Sequence, residues 1–202
     1  MENRNANNEV EGFFSVLSDE ISRMRQQETK VMRVKIDCSC LSEPVCNSFL
    51  SELEAEKNKR SAAVYWFEVD SPASGVVEKV YDAVLQYKND IEKASAAGLK
   101  SQERAVSYVP KVCNGSNVLY VGKVERNLKK RFKEHLGFGS ASTTSLQLCH
   151  WAGGIEGLDL KLVFCYILFD RSSLGRTALK VMEVMEDYFA RQKKRFWAGM
   201  PE

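Results

Sequence analysis

The stretch from Ala62 to Val69 constrains the fold most, because its sequence, A-A-V-Y-W-F-E-V, is rich in β-branched and aromatic residues. Such composition over eight residues predicts a strand. A second apolar run, Val118–Lys123, predicts a buried strand that reaches a glycine. Two further strands are predicted at Val31–Asp37, which alternates in polarity, and at Leu158–Phe169.

Apolar residues at helical spacing predict the remaining elements. The predicted helices are Val10–Gln27, Ser42–Lys57, Val76–Ala97, Leu128–Leu136, Ser145–Trp151 and Leu174–Arg195. The charged segment Lys57–Ser61 interrupts this pattern. We therefore divide the chain into an N-terminal α/β extension, residues 1–60, and a second domain, residues 61–202, with a helical insertion at about residues 71–105.

Composition places the 202-residue chain among soluble globular proteins, with 44% hydrophobic and 28% charged residues. No apolar run approaches the ~20 residues of a membrane span. Six cysteines without an apolar N-terminal signal favour reduced thiols and a cytoplasmic protein. The net charge is +2. Residues 1–100 carry 13 basic and 17 acidic side chains, and residues 101–202 carry 16 and 10, so phosphate contacts are expected in the second half.

The most informative stretch is Leu119 to His135. A buried strand delivers Tyr120 to its end, and Gly122 allows a close approach of a backbone or a ligand. Asn127 then begins a helix on which Arg131 and His135 are four residues apart, on one face. These residues suit an anion site near a helix start. A tyrosine packed at a strand end beside a basic solvated helix would give the same pattern.

This stretch resembles the second half of the GIY-YIG nuclease signature, with Tyr120-Val121-Gly122 as the YIG element. The resemblance covers about residues 62–198. It implies an α+β fold with a small antiparallel sheet flanked by helices. Arg131, eleven residues after Tyr120, corresponds to the family's catalytic arginine, and His135 to a position often filled by His, Lys or Tyr.

The first family element, GIY, has two candidates. Ala63-Val64-Tyr65 lies in the better strand, but Tyr65 precedes Tyr120 by 55 residues, where the family has about a hairpin. Tyr108 precedes Tyr120 by only twelve residues, but Pro110 follows it and no glycine precedes it. We favour Tyr65.

The resemblance also implies one divalent cation, Mg²⁺ or Mn²⁺, held by a glutamate of the last helix. Glu186 fits because Phe189 stands three residues on and Lys194 eight residues on; Glu183 is the second choice. By resemblance Tyr65 is the general base and Tyr120 orients water or phosphate, with Lys123 and His135 in supporting roles. Nucleic-acid contacts are expected from Lys129, Lys130, Lys133, Lys193 and Lys194.

The sequence thus leads to the hypothesis of a metal-dependent endonuclease that hydrolyses DNA. Ala63 in place of the family glycine, the long separation of the two tyrosines and Arg195 in place of a proline favour an alternative. That alternative is a catalytically inactive module that binds nucleic acid. The sequence does not predict the oligomeric state.

Overall fold

A computed structural model describes residues 6–27, 29–53, 61–70, 75–97, 116–140 and 143–192. Its strands are β1 (Met32–Asp37), β2 (Ser61–Val69), β3 (Val118–Val124) and β4 (Lys161–Asp170). They form one antiparallel sheet in the order β1-β4-β2-β3. Together with the helices around it, this sheet confirms the predicted α+β class.

The α-helices of the described residues lie between and beside these strands. They are α1 (Ala6–Gln26), α2 (Glu43–Glu52), α3 (Val76–Ala96), α4 (Leu128–Leu136), α5 (Leu148–Trp151) and α6 (Ala178–Gln192). No helix in the described part of the chain is long and apolar enough to cross a membrane.

Strand β2 lies inside the sheet, between β4 and β3, and its side chains alternate between two apolar layers. On one face, Phe67 stacks on Phe132 of α4 with ring centroids 6.3 Å apart. On the other face, Trp66 stacks on Phe189 of α6 at 5.6 Å. The sheet therefore separates a layer beneath α4 from a layer beneath α6, which explains why β2 is apolar at nearly every position.

The N-terminal segment joins the same sheet, because β1 pairs with β4 along its whole length. Helix α1 packs on α6, and the side chain of Glu20 is completely buried at this contact. Its carboxylate accepts the backbone N–H of Gly175 at 2.9 Å and the hydroxyl of Thr177 at 3.3 Å. Arg23 donates to it at 2.8 Å. Residues 1–60 thus contribute a strand and a helix to the layers built by residues 61–202.

Five predicted boundaries were wrong. Helix α1 begins at Ala6 instead of Val10, and α2 ends at Glu52 instead of Lys57. Strand β4 begins at Lys161 instead of Leu158, and α6 begins at Ala178 after a 3-10 turn instead of at Leu174. The helix predicted from Ser145 begins at Leu148, since Gln147 has a left-handed backbone with φ of 55°.

Other predictions fall partly outside the described residues. Helix α3 lies within the predicted insertion at 71–105, whose residues 71–74 and 98–105 are not described. Tyr108 and the predicted helix end at Arg195 also lie outside the described residues.

Candidate functional site

The pairing of β2 with β3 brings two predicted tyrosines together. Tyr65 lies opposite Gly122, and its ring stacks on Tyr120 with centroids 5.9 Å apart. A Cβ atom on Gly122 would lie 2.5 Å from Cε1 of Tyr120 and 2.7 Å from the Oη of Tyr65. A glycine at this position is therefore what allows the two phenols to share one face of the sheet.

Helix α4 adds Arg131 and His135 to this pair. Its first turn is capped by Asn127, which adopts φ of 60° and accepts the backbone N–H of Lys130 at 3.2 Å. The helix ends at Gly137, whose φ is 98°. These two ends fix a nine-residue helix whose buried face carries His135 toward β2.

The Oη atom of Tyr65 is the centre of the cluster. Arg131 Nε donates to it at 3.1 Å, and His135 Nε2 lies 3.0 Å away. The other ring nitrogen of His135, Nδ1, accepts the backbone N–H of Leu146 at 3.2 Å. An acceptor nitrogen carries no hydrogen, so the neutral ring bears its proton on Nε2. Tyr65 Oη therefore accepts two hydrogen bonds, and its own proton is directed elsewhere.

Burial sets the electrostatics of this cluster. Tyr65 and His135 have about 1% and 0% of their surface exposed. Burial and the neighbouring Tyr120 raise the pKa of Tyr65 well above its usual value, although Arg131 opposes them. Burial, followed by the charge of Arg131, holds the pKa of His135 well below its usual value. At neutral pH the site thus holds a neutral phenol and a neutral imidazole.

Arg131 supplies the positive charge. Burial disfavours its charged form, but Tyr65 and Tyr120 outweigh burial and raise its pKa further. Its Nη1 atom lies 3.1 Å from a carboxylate oxygen of Glu134 and 3.2 Å from the carbonyl of Thr144. The side chain remains 21% exposed. The guanidinium is therefore held in place while part of it stays accessible to an anion.

Lys123 and Glu186 belong to a different group. Lys123 follows Gly122 on β3, so its side chain points to the opposite face of the sheet from Tyr65 and Tyr120. There its ammonium lies 3.4 Å from Glu186 and 3.3 Å from Glu183. The structure thus divides the predicted site residues between the two faces of β3.

The two glutamates have the donor chemistry of a metal site. Both present carboxylate oxygens, the ligands that Mg²⁺ and Mn²⁺ prefer, and Mg²⁺ commonly uses one or two carboxylates and retains several waters. Glu186 is 18% and Glu183 42% exposed, so both are accessible to a hydrated ion. Among the described residues no group of three His, Cys, Asp or Glu side chains is arranged to hold a metal. The residues fit a cation held by Glu186 with Glu183 beside it, in competition with Lys123.

The predicted nucleic-acid contacts are partly described. Lys130 is 70% exposed beside Arg131, and Lys129 is half-buried. Lys133 is 32% exposed and forms an ion pair with Glu43 at 3.3 Å. Lys193 and Lys194 lie outside the described residues. Among the described residues, the predicted contacts that remain accessible on α4 are therefore mainly Lys129 and Lys130, beside the accessible part of Arg131.

Sequence reasoning missed two partners of the cluster. Glu134 contacts Arg131 and could have been found, since the two residues are three apart on one helix. The backbone N–H of Leu146 left no signal, because it belongs to a loop and has no side-chain chemistry.

No family model, curated protein or solved structure matches this chain.

Proposed function

We propose that the protein is a metal-dependent endonuclease that hydrolyses DNA phosphodiester bonds. The observation that carries the proposal is the contact of Tyr65 with Arg131 and His135, next to Tyr120. These four residues come from three separate segments, and they are four of the six residues that the GIY-YIG resemblance selects.

The edge of β3 that faces away from β2 supports the proposal. Strand β3 has β2 on one side and no strand on the other among the described residues. Tyr120 and Arg131 flank this edge from one face, and Lys123 and Glu186 flank it from the other. All four side chains are partly exposed. A DNA backbone lying along this edge would contact both groups, so their separation across the strand is compatible with one site.

Each residue then has a definite task. Arg131 stays charged and positions the scissile phosphate while neutralising part of its charge. Tyr120, the more exposed phenol, orients the attacking water. Tyr65, behind it, is the proposed general base, and it takes up the proton of water as the phenolate, after its own proton has been released to solvent. The two hydrogen bonds that Tyr65 Oη accepts favour this phenolate, whereas burial opposes it. A divalent cation held by Glu186 would stabilise charge on the phosphate and the leaving oxygen.

The test is cleavage of supercoiled plasmid in Mg²⁺ or Mn²⁺ by the full chain. Two matched pairs are compared with the wild type: Glu186→Gln with Glu183→Gln, and Arg131→Gln with Lys130→Gln. We expect nicking by the wild type that EDTA abolishes. Glu186→Gln and Arg131→Gln should lower the rate at least about 100-fold, and the neighbouring variants less than about tenfold. Cleavage that survives both critical substitutions would contradict the proposal.

One observation favours a second candidate, the inactive nucleic-acid-binding module. Lys123 lies where a cation would neutralise Glu183 and Glu186, so the two carboxylates are already compensated. Such a module would bind DNA with a salt-dependent affinity that Arg131→Gln weakens, and it would bind equally well in EDTA without any nicking.

A further inference from the structure

Helix α1 exposes a row of apolar side chains. The inner side is covered in the second half of the helix, because Met24 is buried and Leu17 packs in the same apolar cluster as Val181. The adjoining strip of the helix surface carries Val10, Phe14 and Ile21, which are 52%, 61% and 39% exposed. With 3.6 residues per turn, Phe14 and Ile21 lie within about 40° of Val10 around the helix axis, so the three form one face.

The helix is held firmly in this orientation. Glu20 binds Gly175 and Thr177, and Gln27 binds the backbone of Asp170 and the hydroxyl of Ser173. These bonds fix the second half of the helix, which carries Ile21, and this reduces the entropic cost of docking a partner there.

The apolar face has an acidic residue beside one end and a basic residue beside the other. Glu11 is exposed near the start of the helix, and Arg25 is exposed in its last turn. If two copies of α1 lie antiparallel with Phe14 of each opposite Ile21 of the other, Glu11 falls within about one residue rise (~1.5 Å) of Arg25 of the second copy. The face is thus complementary to itself under a two-fold axis, as an isologous dimer requires.

The same charges disfavour a membrane surface or a nucleic acid as the occupant. Helix α1 carries four acidic residues, Glu9, Glu11, Asp19 and Glu20, and two basic residues, Arg23 and Arg25, for a net charge of 2 − 4 = −2. Helices that bind anionic surfaces are rich in lysine and arginine.

We propose that two copies of this chain form a dimer through the Val10, Phe14 and Ile21 face of α1, antiparallel, with Glu11 of each copy paired to Arg25 of the other. This dimer does not rest on the proposed function. In a nuclease it would supply two sites, one for each strand of a duplex.

The test is the mass of the full chain by sedimentation equilibrium, at chain concentrations from about 1 to about 200 µM. We expect the wild type to approach twice its 22.9 kDa mass. Phe14→Ser should raise the dissociation constant at least about tenfold. The matched control is Val16→Ser, which changes a valine 49% exposed on another side of the same helix and should leave the dimer unchanged.

A charge exchange tests the register. Glu11→Arg and Arg25→Glu should each weaken the dimer, and the double variant Glu11→Arg/Arg25→Glu should restore it. A monomeric wild type across the concentration range would overturn the proposal. The proposal would also be overturned if Phe14→Ser left the dissociation constant unchanged, or if neither single charge variant weakened the dimer. It would be overturned as well if the chain were monomeric and sedimented with anionic lipid vesicles in a way that depends on Phe14.

Discussion

The backbone N–H of Leu146 lies 3.2 Å from Nδ1 of His135, and this contact determines which ring nitrogen can donate to Tyr65. The loop that carries Leu146 is itself anchored, since Ser145 donates to the carbonyl of Glu134 at 2.7 Å and Trp151 donates to the carbonyl of Leu146 at 2.7 Å. A loop without catalytic side chains thereby holds a histidine in one tautomer.

The first prediction concerns His135 and pH. Its folded-state pKa is lowered by burial and by Arg131, while the unfolded chain takes up the proton near pH 6.5. Stability is therefore retained above about pH 6.5 and falls as the pH drops further, with a slope that approaches about 1.4 kcal/mol per pH unit. Urea unfolding between pH 7.5 and 5 should show a flatter curve for His135→Gln than for the wild type.

The control for this prediction is His150→Gln, which removes an exposed histidine on α5. It should keep the wild-type dependence on pH. Equal slopes for the wild type and His135→Gln would show that His135 is protonated in the folded protein.

The second prediction concerns the hydroxyl of Tyr65. Tyr65→Phe removes the acceptor shared by Arg131 Nε and His135 Nε2. The buried donor of His135 and the partly buried donor of Arg131 then lose their partner, so we expect the free energy of unfolding to fall by about 1–3 kcal/mol. Any cleavage activity should be lost. The control is Tyr188→Phe, at a phenol 58% exposed on α6, which should change neither the free energy of unfolding nor the cleavage activity. A Tyr65→Phe protein as stable and active as the wild type would contradict the assigned contacts.

The third prediction concerns Gly122. Gly122→Ala places a methyl group against Tyr120 and Tyr65, so the rings must move apart or β3 must shift. We expect a loss of about 1–3 kcal/mol of stability and a change in tyrosine near-ultraviolet circular dichroism. Gly154→Ala is the matched control, because a Cβ atom there meets nothing within 4 Å. Unaltered spectra in Gly122→Ala would mean that the tyrosines are not packed against this glycine.

The fourth prediction concerns Glu20. Glu20→Gln keeps the shape of the side chain but removes the charge that Gly175, Thr177 and Arg23 stabilise. We expect a loss of about 1–3 kcal/mol and faster cleavage by trypsin within α1, measured by limited proteolysis. Asp19→Asn, at the exposed neighbouring position, should be cleaved at the wild-type rate.

Local patterns predicted most of the elements correctly. The strand at Ala62–Val69 and the helix at Leu128–Leu136 appear within one residue of their predicted bounds. Each carries its own signal: β-branched and aromatic composition in the first, and the Asn127 cap and the Gly137 stop in the second. The start of α6 was less predictable. Leu174 is apolar and fits the helical spacing, but it follows a 3-10 turn that Asp170 stabilises by accepting the N–H of Ser172, and the helix begins only at Ala178.

The candidate site was predictable only in part. Tyr65 and Arg131 are 66 residues apart, and only the family resemblance associated them. The pairing of Lys123 with Glu186 could have been anticipated, since a residue next to Gly122 in a strand points away from the tyrosines. The contact of Leu146 with His135 could not have been anticipated, because almost every residue has a backbone amide and nothing in the sequence singles out this one.

The docking of α1 also bears on the order in which the chain folds. Glu20 and Gly175 are 155 residues apart, and Gln27 and Asp170 are 143 apart. During synthesis the first helix therefore leaves the ribosome long before its partners on β4 and α6 exist. Strand β1 also forms late, since the strand it pairs with in the described part of the chain is β4. Helix α1 and strand β1 are thus translated long before the elements on which they dock, and until then their apolar side chains are exposed and can promote aggregation.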